Sequence, residues 1–294
     1  MKIKPLISII IPSFNHAHFL IRSLTSVINQ TYTNWEAIVI DNHSKDHTIK
    51  IVNEFNDSRI KLLKINNFGI IAKSRNLGIL SSQGDWIAFL DSDDWWTKDK
   101  LRICVDSISD EVDLIYHDLV IKYENQKFFK RKINKTRKLK KPVLIDLLLN
   151  GNAISNSSVL VRKKLIEKIG LINENKDLVT SEDYNTWLKI SKITDQFLYL
   201  PRKLGCYFVH SKSESQKNMS ISTQIATNEF LSILNNEQKL RLEGHISFIS
   251  GRFNYKNLNY KKAKKELLFV LKNGQFSLKI KSIFMIIIII LKFK

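Results

Sequence analysis

With 294 residues, 44% of them hydrophobic and 26% charged, the chain can bury a full core and does not have a disordered composition. Its net charge of +19 asks for an anionic partner: nucleic acid, an anionic membrane surface or a polyanionic small substrate. Cys104 and Cys206 are far apart and lack Cys-x-x-Cys or Cys/His ligand spacing, which argues against structural zinc and for a reducing compartment.

The first apolar run, Leu6–Pro12, ends at Pro12 without a small-residue cleavage site. It reads as a strand and not as a signal peptide, so the protein is expected to stay in the cytoplasm. Trp35–Asp41, Arg59–Ile65 and Trp86–Asp91 are further runs rich in Ile, Val, Leu or Phe, each bounded by turn residues. Between the first two, Leu20, Leu24, Val27 and Ile28 fall on one helical face. Between the second and third, Ile51, Val52 and Phe55 do the same, with Ser44 or Asp46 placed to cap that helix. Near-continuous apolar strands alternating with helices mark a parallel sheet covered on both faces, an α/β fold.

Beyond Asp94 the regularity changes. Leu101, Val105 and Ile108 share a helical face, and Val112–Tyr123 reads as one or two strands. Lys130–Lys141 is mostly Lys and Arg; it reads as a solvated, mobile loop, with a contact to an anionic acceptor or membrane as the sharper alternative. Pro142–Asn150 predicts a helix stopping near Gly151, Asn156–Arg162 a strand, and Lys163–Ile169 a helix that Gly170 ends. Ser181–Ile193 predicts another helix, with Ser181 as N-cap and Tyr184, Trp187, Leu188 and Ser191 facing inward. From Ser222 the pattern is helical, with Ile225–Gly251 and Tyr260–Lys272 as a hairpin. The wholly apolar Ile283–Leu291 lies between Lys279, Lys281, Lys292 and Lys294. It falls short of the roughly 20 residues a bilayer span needs, which leaves an interfacial segment or a helix packed on the domain. The expected division is an α/β domain over residues 1–221 and a helical extension over 222–294.

Ligands of a parallel α/β sheet bind outside the carboxyl ends of its strands. Four successive ends here carry chemically capable groups: Pro12–Asn15; Asp41 to Asp46; Asn67–Gly69 with Lys73, Ser74, Arg75 and Asn76 behind it; and Asp91-Ser92-Asp93. Two carboxylates at the end of a buried strand repel each other unless a cation lies between them. Oxygen ligands on a turn suit Mg²⁺ or Mn²⁺, whose shells are commonly completed by substrate phosphates. A solvated turn capping the next helix is the plainer reading of Asp91–Asp94 taken alone; its place at the fourth of four such ends favours the metal.

Five motifs in order resemble the inverting, nucleotide-sugar-dependent glycosyltransferases of family 2, which have the GT-A fold. They are Ile-Ile-Ile-Pro-Ser-Phe-Asn ending at Asn15, Ile40–Thr48, Ser-Arg-Asn-Leu-Gly at 74–78, Phe-Leu-Asp-Ser-Asp-Asp-Trp-Trp at 89–96, and Ser-Glu-Asp-Tyr-Asn-Thr-Trp at 181–187. The resemblance spans residues 5 to about 215 and implies a Rossmann-like, mainly parallel sheet flanked by helices. It implies donor contacts from Pro12, Ser13 and Phe14 along the base, from Asp41 to the uracil ring, and from Arg75, a permanent cation, to the nucleotide or diphosphate. Asp93 matches the metal carboxylate of the Asp-x-Asp motif, with Asp91 and Ser92 beside it on the donor. Asp183 matches the general base, and Glu182 and Trp187 would shape the acceptor side. His210, in Tyr207–His210 followed by Ser213 and Ser215, resembles a segment reaching the diphosphate or metal, although Phe208 stands where the family usually has Arg.

The leading expectation is an inverting transferase that moves a sugar from a nucleotide donor, UDP-linked in the first instance, to a hydroxyl of a lipid-linked or polysaccharide acceptor. Its setting would be bacterial surface-polysaccharide assembly, peripheral to the inner membrane face, with Mn²⁺ or Mg²⁺ as cofactor and no nucleic-acid partner. A nucleotidyltransferase would carry a Gly-rich phosphate loop where Pro-Ser-Phe-Asn stands. A nucleic-acid-binding protein would interleave aromatics with the basic run or carry a recognisable module.

Overall fold

The computed structural model describes residues 4–124, 132–134, 136–211 and 213–292. The four apolar runs form β1 (Ile7–Ser13), β2 (Trp35–Asp41), β3 (Ile60–Lys64) and β4 (Trp86–Phe89), all parallel, in the spatial order β3-β2-β1-β4. Ser13 pairs with Asp41 and Asp41 with Lys64, so the carboxyl ends lie level along one edge. Between these strands run α1 (Ala17–Ile28), α2 (Thr48–Glu54) and α3 (Ile71–Leu80).

Alternate residues of the strands feed two separate cores, as a period of two requires of a sheet covered on both faces. Ile10, Ile38, Ile40 and Phe89 pack on one side, while Ile9, Ile11 and Val39 meet Leu20 and Leu24 of α1 on the other. Helix α3 lies so close to the sheet that a Cβ at Gly78 would stand 2.7 Å from Ile10 Cγ2. That approach carries Arg75, one turn earlier on α3, beneath the carboxyl edge.

The second half makes the sheet mixed. It contains β5 (Trp95–Trp96), α4 (Lys100–Asp106), β6 (Leu114–Tyr123), β7 (Lys132–Asn134), α5 (Val143–Asn150), β8 (Leu160–Arg162), α6 (Lys163–Lys168), α7 (Glu182–Ser191) and β9 (Phe197–Val209). The order continues from β4 through β8, β6 and β9 to β5, with β8 antiparallel to both β4 and β6. Strand β9 was not expected, because Pro201, Arg202, Lys203 and Gly205 break any apolar alternation. It pairs in parallel with β6 across register shifts at His117 and Asp118, and such an irregularity accommodates residues that a regular ladder would not.

Further expectations changed in detail. Asn156–Ser158 form a 3₁₀ turn before β8, not strand. Residues 130, 131 and 135 of the basic segment lie outside the described residues. Its described end, 136–141, is a loop with Lys138, Lys140 and Lys141 exposed, but an anchored one: Arg137 pairs with Asp146, and Tyr116 Oη donates to the Arg137 carbonyl at 2.8 Å. The expected helix over 225–251 is two, α8 (Ser220–Asn228) and α9 (Asn236–Lys256), because Asn235 and Gln238 close a reciprocal capping box that starts α9 afresh. Two more follow, α10 (Tyr260–Asn273) and α11 (Phe276–Lys292), around a core of Phe248, Leu267, Val270, Leu278, Ile286 and Ile289. Gly151, at φ +77°, leaves the space its Cβ would fill to His245 of α9, so this helix seats directly on the end of α5.

One buried charge stands apart from the site. Lys100 is fully buried with its ammonium 3.8 Å from the Trp96 ring, and Nζ has no hydrogen-bond partner among the described residues. Burial pushes its pKa down to about 8 from 10.5. Between those values the unfolded chain holds a proton that the folded chain has lost, so stability rises with pH across that window. Lys100→Met should therefore stabilise the protein at pH 7, by on the order of 2–3 kcal/mol, and flatten that rise. Urea unfolding at pH 7 and pH 10 measures both; a variant less stable at pH 7 would mean that the contact with Trp96 outweighs desolvation.

Candidate active site

The loops that follow β1 and β2 are laced together. The Asn15 backbone N–H donates to Ser44 Oγ at 2.8 Å, and the Lys45 N–H donates to Asn15 Oδ1 at 2.8 Å. Asp41 is fully buried beneath them, accepting from the Ser44 N–H at 3.2–3.3 Å. Ser13 Oγ is buried with no hydrogen-bond partner among the described residues. Phe14, by contrast, is 52% exposed. A buried carboxylate, an unused hydroxyl and an open aromatic face on one edge suit a flat, polar-edged ring.

Arg75 organises the centre. Its guanidinium is buried and donates from Nη2 to Asp91 Oδ1 at 2.8 Å and from Nη1 to Glu182 Oε1 at 2.5 Å. Burial alone would lower its pKa; the charges of Asp91 and Glu182 outweigh that and hold it above the usual arginine range. Asp91 also accepts from Asn156 Nδ2 at 3.1 Å, and its backbone N–H donates to Ser157 Oγ. Beside Glu182, the Asp183 carboxylate is pushed up to about 7, first by burial and then by the charge of Glu182, with Arg75 opposing. It also feels the charge of Asp91 and accepts from the Tyr184 N–H at 2.6 Å.

Asp93 lies on the turn after β4, with its Oδ2 3.1 Å from His210 Nε2. Burial, then the charge of Asp91, push the Asp93 carboxyl up to about 6, and His210 opposes the shift. His210 arrives there through the sheet: β5 pairs antiparallel with β9, Trp95 opposite Cys206, and the Phe208 N–H donates to Asp94 Oδ1 at 2.8 Å. Around the pair, His16 Nδ1 and Ser92 Oγ are 2.8 Å apart, and the His16 and His210 rings meet edge to face at 5.8 Å. Arg22 donates to the Asp93 carbonyl at 2.9 Å while its guanidinium covers Trp95 at 3.6 Å.

These groups can hold a divalent cation only together with a substrate. Among the described residues no three His, Cys, Asp or Glu side chains gather as a ready ligand cage. Yet burial and a like charge disfavour the ionised form of Asp93, a strain that a cation relieves, and carboxylate oxygen is the ligand Mg²⁺ and Mn²⁺ take. The donor set fits an ion that completes its shell with phosphate oxygens.

A family model, "Glycosyl transferase family 2", matches residues 8–170. The chain belongs to glycosyl transferase family 2. It is 32% identical over 216 residues to the Escherichia coli "UDP-Glc:alpha-D-GlcNAc-diphosphoundecaprenol beta-1,3-glucosyltransferase WfgD", covering 73% of this chain and 79% of that one. With the "Putative teichuronic acid biosynthesis glycosyltransferase TuaG" of Bacillus subtilis it shares 39% over 101 residues, 34% of this chain and 40% of the relative. The fold is similar to that of Staphylococcus aureus TarS, solved as residues 1–349 in complex with UDP, at a TM-score of 0.61 and 20% identity over 89% of this chain and 74% of that one. The mannosyltransferase PcManGT of Pyrobaculum calidifontis, solved with GDP-Man and Mn²⁺, gives a TM-score of 0.61 at 14% identity over 95% of this chain and 78% of that one. The GT-A architecture and glycosyltransferase activity expected from the motifs therefore hold.

In this glycosyltransferase the structure gathers Pro12, Ser13, Phe14, Asp41, Arg75, Asp91, Ser92, Asp93, Glu182, Asp183 and His210 at one edge, with two changes of emphasis. Arg75 directs both terminal nitrogens at protein carboxylates, so its visible work is to hold Asp91 against Glu182. Trp187 does not border an acceptor space: it is 1% exposed and packs against Phe89 at 6.1 Å, because it lies on the inner face of α7. Ser181 sits at the N-cap of α7 but turns its hydroxyl to Ser222 at 2.9 Å, tying α7 to α8. Trp96 is core, its Nε1–H bonded to the Ser157 carbonyl at 2.8 Å.

Sequence reading missed His16, Arg22 and Asn156. Arg22 and His16 belong to α1 and its entry, where the apolar spacing describes only the buried face. Asn156 was hidden inside a stretch read as strand.

Proposed function

We propose that this glycosyltransferase transfers a sugar from a UDP-sugar, with inversion, to a hydroxyl of a lipid-linked or polysaccharide acceptor, assisted by a divalent cation. The observation that carries the reading is a carboxylate poised near neutrality, Asp183, beside Arg75, Glu182 and Asp91 on the strand-end edge. A general base works best with a pKa near the operating pH. Asp183 takes the proton from the attacking hydroxyl while the nucleoside diphosphate departs from the other face of the sugar, and that single displacement inverts the anomeric centre.

The remaining residues bind and orient. Asp41 accepts a hydrogen bond from the uracil ring, Phe14 stacks on it, and Ser13 offers its unused hydroxyl. Glu182, clamped by Arg75, orients the acceptor and keeps its charge beside Asp183. Asp93, with His210 beside it, would hold Mg²⁺ or Mn²⁺, which would supply Lewis-acid stabilisation of the departing diphosphate. The lipid-linked acceptor is supported by the names of WfgD and of the Escherichia coli WfaP, both described as acting on GlcNAc-diphosphoundecaprenol. Such an acceptor supports a setting in surface-polysaccharide assembly, at the inner face of the cell membrane.

A donor panel tests the reading. UDP-sugars should bind and turn over with added Mn²⁺ or Mg²⁺, with GDP-sugars at least about tenfold weaker for want of the uracil contacts. Equal use of GDP-sugars would remove Asp41 from base selection, and full turnover in EDTA would remove the cation.

A further inference from the structure

The surface that fits no part of this chemistry is α11. Seventeen residues make it about 26 Å long, and no helix among the described residues is long and apolar enough to cross a membrane. One face, Leu278, Ser282, Ile286 and Ile289, packs on α9 and α10. The opposite face follows the same helical spacing through Phe276, Ile280, Ile283, Phe284, Ile287 and Leu291, every one exposed: Phe276 by 79%, Phe284 and Leu291 by 65% each. A helix apolar on both sides leaves half of that surface in water, and a continuous exposed apolar stripe marks an interaction surface.

The charges around the stripe select the partner. Residues 257–292 carry eight lysines against the single Glu266, and Lys279 and Lys281 flank the exposed stripe on α11 itself. On α10, Lys261, Lys262, Lys264 and Lys265 are all exposed. Two copies meeting through this face would oppose one lysine field to another. An apolar stripe bordered by lysines is instead complementary to anionic headgroups over acyl chains. The anchor is also rigid with respect to the catalytic edge. α9 seats on α5 at Gly151, Gln275 Nε2 donates to the Leu149 carbonyl at 3.0 Å, and Asn185 of α7 donates to the Ala226 carbonyl of α8 at 3.1 Å.

We propose that α11 lies flat in the surface of an anionic bilayer, its Phe276–Leu291 stripe among the acyl chains and the lysines of α10 and α11 on lipid phosphates. The inference extends the reading of a lipid-linked acceptor, since it holds the catalytic edge at a fixed relation to the surface where such an acceptor sits.

Co-sedimentation of the full chain with acceptor-free vesicles tests it. Vesicles of phosphatidylcholine with about one third phosphatidylglycerol should bind the protein at least about tenfold more tightly than pure phosphatidylcholine, and 0.5 M NaCl should weaken that preference. Phe284→Glu with Ile287→Glu should weaken binding at least about tenfold at unchanged circular dichroism, since both side chains are exposed. Lys279→Glu with Lys281→Glu should reduce the preference for anionic lipid and needs no change in the apolar stripe. Wild-type protein that ignores phosphatidylglycerol vesicles would overturn the proposal. So would a dimer that the Phe284/Ile287 variant converts to monomer, which would give the face to a second copy. Because these vesicles contain no acceptor, the result is independent of sugar transfer: docking can fail while turnover on a short soluble acceptor stands, and the reverse.

Discussion

Asp183→Asn is expected to lower kcat by about 10²–10⁴-fold while leaving the donor Kd within about twofold. The amide keeps the size and the acceptor oxygen that the Tyr184 N–H bonds, but it cannot take a proton. The same group sets a pH dependence. Its carboxyl is pushed up to about 7 by burial and by the charge of Glu182, so the basic form is lost as pH falls through that value. Below pH 7, kcat/KM should fall about tenfold per unit, and above it the rate should level. Steady-state rates with saturating donor at pH 5.5 to 8.5 measure both. Normal transfer by the Asn variant would mean that the base lies elsewhere on the edge.

Asp93→Ala is expected to abolish the gain in donor affinity that Mn²⁺ or Mg²⁺ gives, a loss of several kcal/mol in transition-state stabilisation. Isothermal titration of UDP with and without metal reads it directly: the variant should bind equally weakly in both. A second consequence runs the other way. The Asp93 carboxyl is raised from 3.8 to about 6, so the folded chain holds a proton between those values that the unfolded chain has lost. Stability therefore falls as pH rises through that window, and by pH 7 the cost is on the order of 2–3 kcal/mol. Removing the carboxylate should raise the metal-free Tm at pH 7, a gain in stability at the expense of function. An Asp93→Ala protein that keeps metal-dependent UDP binding would assign the cation to other ligands.

Much of the nucleotide half was legible because its signals are local. Trp35–Asp41 is apolar except for Glu36 and the terminal Asp41, and its strand has those bounds. Asp41, Arg75 and Asp93 follow strands or sit on helices whose placement the α/β rule dictates. The second half resisted for a physical reason. Strand β9 passes through Pro201 and Gly205 and is held by long-range pairing with β6, so no window of sequence contains what stabilises it. Everything β9 delivers, including Phe208 on Asp94 and His210 beside Asp93, followed from that pairing.

The parallel half of the sheet and the edge at which chemistry gathers are legible in short segments, since hydrophobic period and turn residues are local properties; the acidic pair at 182–183 stands out only through the resemblance to the family. Which charges meet depends on contacts between residues far apart in the chain. Arg75 closes on Asp91 and Glu182 across 16 and 107 residues of chain, and burial there, which no single segment encodes, moves Asp183 towards neutrality. Helical spacing already turns Trp187 inward; the packing of the fold sets Phe89, and not an acceptor, against it. That packing left the outer stripe of α11 uncovered, because α9 and α10 can bury only one side of a helix that is apolar on two.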